Sequence, residues 1–165
     1  MSTPSLPRYS DRALPSYRHR PGRTHHPATH PQGHSFGHQE RPLTPQELRD
    51  WPASESFRFG IDLFNHQYFW EAHEAWEVIW QSLPEGPERR LVRALIQMAA
   101  AMLKMEVGEV EGAKRILSRV EENLIGVVNA TTMIGFDPVQ LRKSVEARIA
   151  DPEILIRIQR VETLD

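Results

Sequence analysis

The chain has 165 residues, 25% of them charged, no cysteine, and a formal charge of −2. A chain of this length forms one domain with extensions, and the lack of cysteine excludes disulfides, thiolate metal sites and cysteine nucleophiles. Its most apolar run, Ala94 to Leu103, is interrupted by Gln97 and falls short of the ~20 residues that cross a bilayer. The opening MSTPSLPRYSDR has no apolar signal core, so a cytoplasmic protein without membrane contact is expected.

Charge is distributed unevenly: residues 1–41 carry six arginines against Asp11 and Glu40, a net +4, which leaves −6 for the remainder. His19, His25, His26, His30, His34 and His38 lie in the same stretch. With seven prolines and few aliphatic side chains, residues 1–43 bury too little apolar surface to offset ordering entropy, which predicts a disordered arm. Its imidazoles offer an irregular transition-metal set and its arginines a weak attraction to polyanions. A solvated arm without a fixed partner is the leading expectation.

Order is predicted from Thr44, where Thr44, Pro45 and Glu47 supply an N-cap, an N1 proline and an N3 glutamate. A short first helix ends at Trp51-Pro52, and a second runs from Ser54 to about Phe64 on Phe57, Ile61 and Phe64. Asn65 to Gln67 turn the chain into a central helix, on which Phe69, Ala72, Trp76, Ile79, Trp80 and Leu83 share one apolar face. After Pro84 to Pro87, a helix from Glu88 to Val107 is apolar nearly all round, the mark of the most buried helix of a bundle. Arg93, Gln97 and Lys104 form its one polar line. Gly108 stops it, a further helix extends from about Glu109 to Val128, and Asp137-Pro138 caps a last one to about Ala150. The tail, residues 151–165, reads as extended chain laid over the bundle.

A shift of 41 residues superposes Ile61, Phe64, Gln67, Phe69 and Ala72 on Met102, Met105, Gly108, Val110 and Ala113, as though one helical hairpin occurred twice. Two copies are too few for a solenoid. The predicted fold is therefore all-α: a closed bundle of five to six helices over residues 44–150, built from two antiparallel hairpins.

The chemistry sits on the central helix. His73, Glu74 and Glu77, with His66 a turn away, carry the types and spacing of a divalent-metal or general acid/base site, since imidazole and carboxylate at i and i+4 share one side of a helix. Sequence alone leaves the ligand set open between His73/Glu74/Glu77 and His66/His73/Glu77. The structural alternative follows from hairpin geometry about Gly86, where facing residue numbers sum to about 171. Glu77 then meets Arg93, and His73 and Glu74 meet Gln97. Together with Glu71 they would form a buried polar network. This network is the leading reading, with no cofactor expected and no catalytic assignment.

FNHQYFWEAHEAWEVIW followed by RRLVRALIQMAAAMLKMEVGEVEGAKRIL resembles the domain of unknown function family 309, a small bacterial and archaeal family. The residues carrying the likeness are Phe64, Asn65, Glu71, His73, Glu74, Trp76, Glu77, Trp80, Gln97, Gly108, Gly112 and Ala113. Ala94, Lys104 and Glu109 stand where glycine, histidine and asparagine are usual in that family, and the lysine disfavours a further metal ligand. The resemblance implies a small helical bundle and no established activity. The functional expectation is a non-catalytic interaction or structural module, capable of self-association; the alternative is a metal-binding or hydrolase-like protein using His73, Glu74 and Glu77.

Overall fold

The structure, a computed structural model, describes residues 5–161, and these form seven α-helices and one 3-10 turn with no strand among them. Helix α1 is Pro45–Arg49, and the 3-10 turn is Trp51–Ala53. Helices α2, α3, α4 and α5 are Glu55–Asn65, Phe69–Ser82, Pro87–Glu106 and Val110–Leu124. A short α6, Ala130–Ile134, precedes α7, Pro138–Ala150. The all-α bundle expected from the periodicity is the fold observed. Helix α6 was not foreseen, because five residues are too few to register a helical period.

Local signals act as expected at the first helix. Thr44 accepts from the Glu47 amide at 3.2 Å while Glu47 takes the Thr44 amide at 2.8 Å, a complete capping box. The Arg41 fork grips the same carboxylate at 2.7 Å on each oxygen and, with the Thr44 amide, holds the Glu47 carboxyl down at about 2.

Short connections pair α2 with α3 and α4 with α5, and α3 packs on α4 to join the hairpins. The repeat seen in the sequence is real in backbone geometry. Gln67 and Gly108 both lie in the left-handed region, at φ 65° and 79°. The residues after them, Tyr68 (φ −84°, ψ 67°) and Glu109 (φ −89°, ψ 63°), are nearly identical. The hydrogen bonds repeat as well: Gln67 N to Phe64 O and Tyr68 N to Leu63 O match Gly108 N to Met105 O and Glu109 N to Lys104 O. Glycine at the second turn adopts this conformation without cost, whereas glutamine at the first is strained. That left-handed residue is also why α3 starts only at Phe69.

The core is centred on Trp51, Phe57, Phe64, Trp76, Leu95 and Met98, all fully enclosed. Trp76 lies so close to α2 that a Cβ at Gly60 would sit 2.2 Å from its Nε1. Only glycine fits there. The indole N–H donates to the Phe57 carbonyl at 3.3 Å, which satisfies a group that burial would otherwise penalise.

Residues 5–43 depart from the sequence reading. They form no regular element, yet they are not a free arm: Ser10 and His19 are buried, and Tyr9 and Leu14 pack on the core. The disorder expectation counts aliphatic burial, and this segment docks by other means. Its backbone amides meet buried carboxylates, and its imidazoles surround an indole. The first four residues of the arm and the last four of the tail lie outside the described residues. From Pro152 to Val161 the described tail is non-helical, with Ile156 and Ile158 buried and Val161 N donating to Gly135 O at 2.8 Å.

Candidate functional site

Three polar side chains on the first hairpin are buried where a helix interface would be apolar: Asp62 at 0%, Asn65 at 5% and Glu71 at 5% exposure. Each holds a piece of chain outside the helices. Asp62 accepts the amides of Tyr9 (2.8 Å) and Ser10 (3.0 Å), the Ser10 hydroxyl (3.0 Å) and the Arg8 guanidinium (3.0 Å). Asn65 pairs with Ile158 as a strand neighbour would, donating to its carbonyl at 2.9 Å and accepting from its amide at 2.7 Å. Glu71 Oε1 accepts the His19 amide at 2.7 Å and His34 Nε2 at 2.9 Å. The other oxygen, Oε2, is buried without a hydrogen-bond partner.

Around Glu71 the arm folds over Trp70. The rings of His19, His26 and His34 stand edge-on to the indole at 5.3, 5.4 and 6.5 Å. Tyr17 tilts against His34 at 4.7 Å, accepts the His34 amide, and donates to the His25 carbonyl at 2.9 Å. Burial and the neighbouring His26 lower the His19 pKa, so this ring favours its neutral form at neutral pH. Arg18 bridges to Glu106 at the end of α4 at 3.1 Å and reaches Gln67. Desolvation nonetheless raises the Glu106 pKa. Tyr9 Oη accepts the Arg160 amide at 2.9 Å, so arm and tail also join each other.

The residues singled out in the sequence are partly assembled. His73, Glu74 and Glu77 do come together: Nδ1 of His73 is 3.3 Å from Glu74 Oε1 and 3.9 Å from Glu77 Oε2, and one ligand atom from each lies within 4.8 Å of the others. His66 is not among them, because its Nδ1 faces the Asp62 carbonyl at 2.8 Å in its own helix. Glu71 is turned away into the arm. The Glu77–Arg93 pairing is not formed: Arg93 is exposed, and Gln97 Oε1 instead accepts from Asn123 on α5 at 2.9 Å. The reason is geometric. Leu91, Val92, Ala94, Leu95, Ile96, Met98 and Ala99 are all buried, so the line through Arg93 is the one stripe of α4 left for solvent.

Four arm arginines are also committed within the chain, Arg8 to Asp62, Arg12 to Glu40, Arg18 to Glu106 and Arg41 to Glu47. Pairing of this kind removes most of the charge that polyanion attraction would use. Asp62, His19 and His34 were missed as site residues. Asp62 had a signal, since it stands in the apolar run FGIDLFN, where an unpaired carboxylate is costly. The two histidines had none beyond their number.

No curated protein and no solved structure is significantly similar to the chain. Among protein families, the profile described as Domain of unknown function (DUF309) matches residues 57–116, a span that contains Asp62, Asn65, Glu71, His73, Glu74 and Glu77 but not the arm or the tail. That span covers most of the two hairpins and less than half of the chain, and it is over residues 57–116 that the chain is similar to this family.

Proposed function

We propose that the protein is a non-catalytic binding module whose first hairpin holds an extended chain segment by its backbone, and that its own arm fills that role in cis. The observation that carries this reading is the pair of buried carboxylates, Asp62 and Glu71, that accept main-chain amides of Tyr9, Ser10 and His19. Recognition of main-chain amides gives affinity with little dependence on the segment's sequence, and the rings around Trp70 add selectivity for histidine. The cysteine-free composition favours a cytoplasmic setting. Exchange of arms between two copies would be the route to self-association.

A protease site inserted after Pro42 tests the reading. Once cut, the arm is expected to co-elute with the bundle on size exclusion at micromolar concentration. A severed arm that separates while the bundle stays folded would show that only the covalent tether keeps it there.

The convergence of His73, Glu74 and Glu77 favours a second reading, a divalent-cation site on α3. Metal analysis of tag-free protein with and without His73→Ala separates the two. Stoichiometric metal that disappears in the variant would establish the site, and metal content independent of His73 would remove it.

A further inference from the structure

A cavity of about 530 Å³ lies between the arm and the first hairpin. Trp70, Glu71, Glu74, Ala75, Glu77 and Val78 line it from α3 at three- and four-residue spacing. Phe59 and Leu63 close it from α2, and the arm forms the facing wall.

The charges on this wall are unbalanced. Arg12, the one arginine lining the cavity, is paired with Glu40 and stacked 4.6 Å over the Phe59 ring. Glu71, Glu74 and Glu77 have no lysine or arginine partner among the described residues; the side chains paired with them are the imidazoles of His34 and His73. The second observation is independent of that count. Glu71 is 5% exposed, and its Oε1 accepts two donors while the buried Oε2 accepts none. A buried carboxylate oxygen without a donor is destabilising. Glu71 is one of the residues that line a cavity of the size that takes a small molecule.

We infer that this cavity binds an organic di- or polyammonium ion. Such a ligand alternates ammonium groups with methylene runs, and the wall alternates carboxylates with Phe59, Leu63, Ala75 and Val78. Trp70 adds an aromatic surface of the kind that attracts ammonium groups. A single metal ion does not match the whole cavity, because ligands to one ion must converge within a few ångströms. The convergent set found among the described residues, His73, Glu74 and Glu77, leaves Glu71 out. The inference uses the docked arm as a wall and does not rest on binding of an arm in trans.

Calorimetry on the full-length chain with spermidine as probe, against sodium chloride and magnesium chloride at matched ionic strength, decides it. Saturable one-to-one binding of spermidine is expected, with a higher melting temperature than in either salt. The variant Glu74→Gln/Glu77→Gln, altered at two half-exposed positions, should keep its helical circular dichroism and lose affinity by about tenfold or more. Spermidine heats no different from sodium chloride would overturn the inference. So would undiminished affinity in the double variant, or magnesium binding in preference to spermidine.

Discussion

The two hairpins share a turn geometry and differ in what covers them. The α4–α5 hairpin is covered by α7, whose backbone satisfies itself except at its ends. On that hairpin the equivalent positions are apolar or small: Leu103 and Gly112 occupy the positions that Asp62 and Glu71 hold in the first copy, 41 residues earlier. The α2–α3 hairpin is covered by irregular chain. Irregular chain brings unpaired amides and carbonyls to a buried surface, and each needs a partner. Asp62, Asn65 and Glu71 supply those partners. The third equivalent position follows the same logic, since Glu106 stands opposite Asn65 in the repeat and receives Arg18 from the arm. Buried polar side chains here mark where non-helical chain lies.

The sharpest way to break this comparison is to exchange the effects of equivalent positions. Asp62→Ala removes one acceptor from two amides, a hydroxyl and a guanidinium. It should cost about 3 kcal/mol in urea unfolding and open the arm to trypsin at Arg18 and Arg23. Leu103→Ala, at the partly buried equivalent position, should cost about 1 to 2 kcal/mol and leave the arm protected. Equal tryptic sensitivity in the two variants would contradict the division of roles.

A second, smaller effect follows from His19. Its pKa in the docked state lies below the ordinary histidine value of 6.5, so the released chain binds the proton more readily. Docking stability from this group is complete above pH 6.5 and is lost as pH falls through the lowered value. Glu106 acts in the opposite sense, because its raised pKa favours the folded state as pH drops towards 4.5. Urea midpoints should therefore be lower at pH 5.5 than at pH 7.5, and His19→Gln should flatten that slope. A slope unchanged by the substitution would place its origin elsewhere.

The smallest effect tests the shared turn. Gln67→Gly should relieve the left-handed strain and stabilise by about 0.5 to 1 kcal/mol, offset in part by loss of the side-chain bond to Arg18. Gly108→Ala should destabilise by a similar ~1 kcal/mol. Opposite signs at positions 67 and 108 confirm one geometry built from two residue types.

How much of this could be read in the sequence divides along the same line. The hairpins were legible, because Phe57, Ile61 and Phe64 or Leu91, Leu95 and Met98 repeat at a helical period and bury accordingly. The internal repeat was legible down to the turn, with Gln67 over Gly108. His73, Glu74 and Glu77 were brought together as their spacing required, since neighbours on one helix need no tertiary information. The Glu77–Arg93 pairing failed because residue sums locate a facing position without saying which stripe of α4 faces it. The docked arm was illegible for a deeper reason. Composition measures what side chains can bury, whereas Tyr9, Ser10 and His19 are held through backbone amides, which every residue but proline carries.

The central claim is that buried carboxylates of the first hairpin hold the arm's main chain, and amide hydrogen exchange reads it directly. In the full-length protein at neutral pH, the amides of Tyr9, Ser10 and His19, and that of Ile158 on Asn65, should exchange on the order of 100-fold more slowly than an unstructured peptide of the same sequence. Exchange of these four amides at the unstructured rate, with α3 and α4 still protected, would contradict the account.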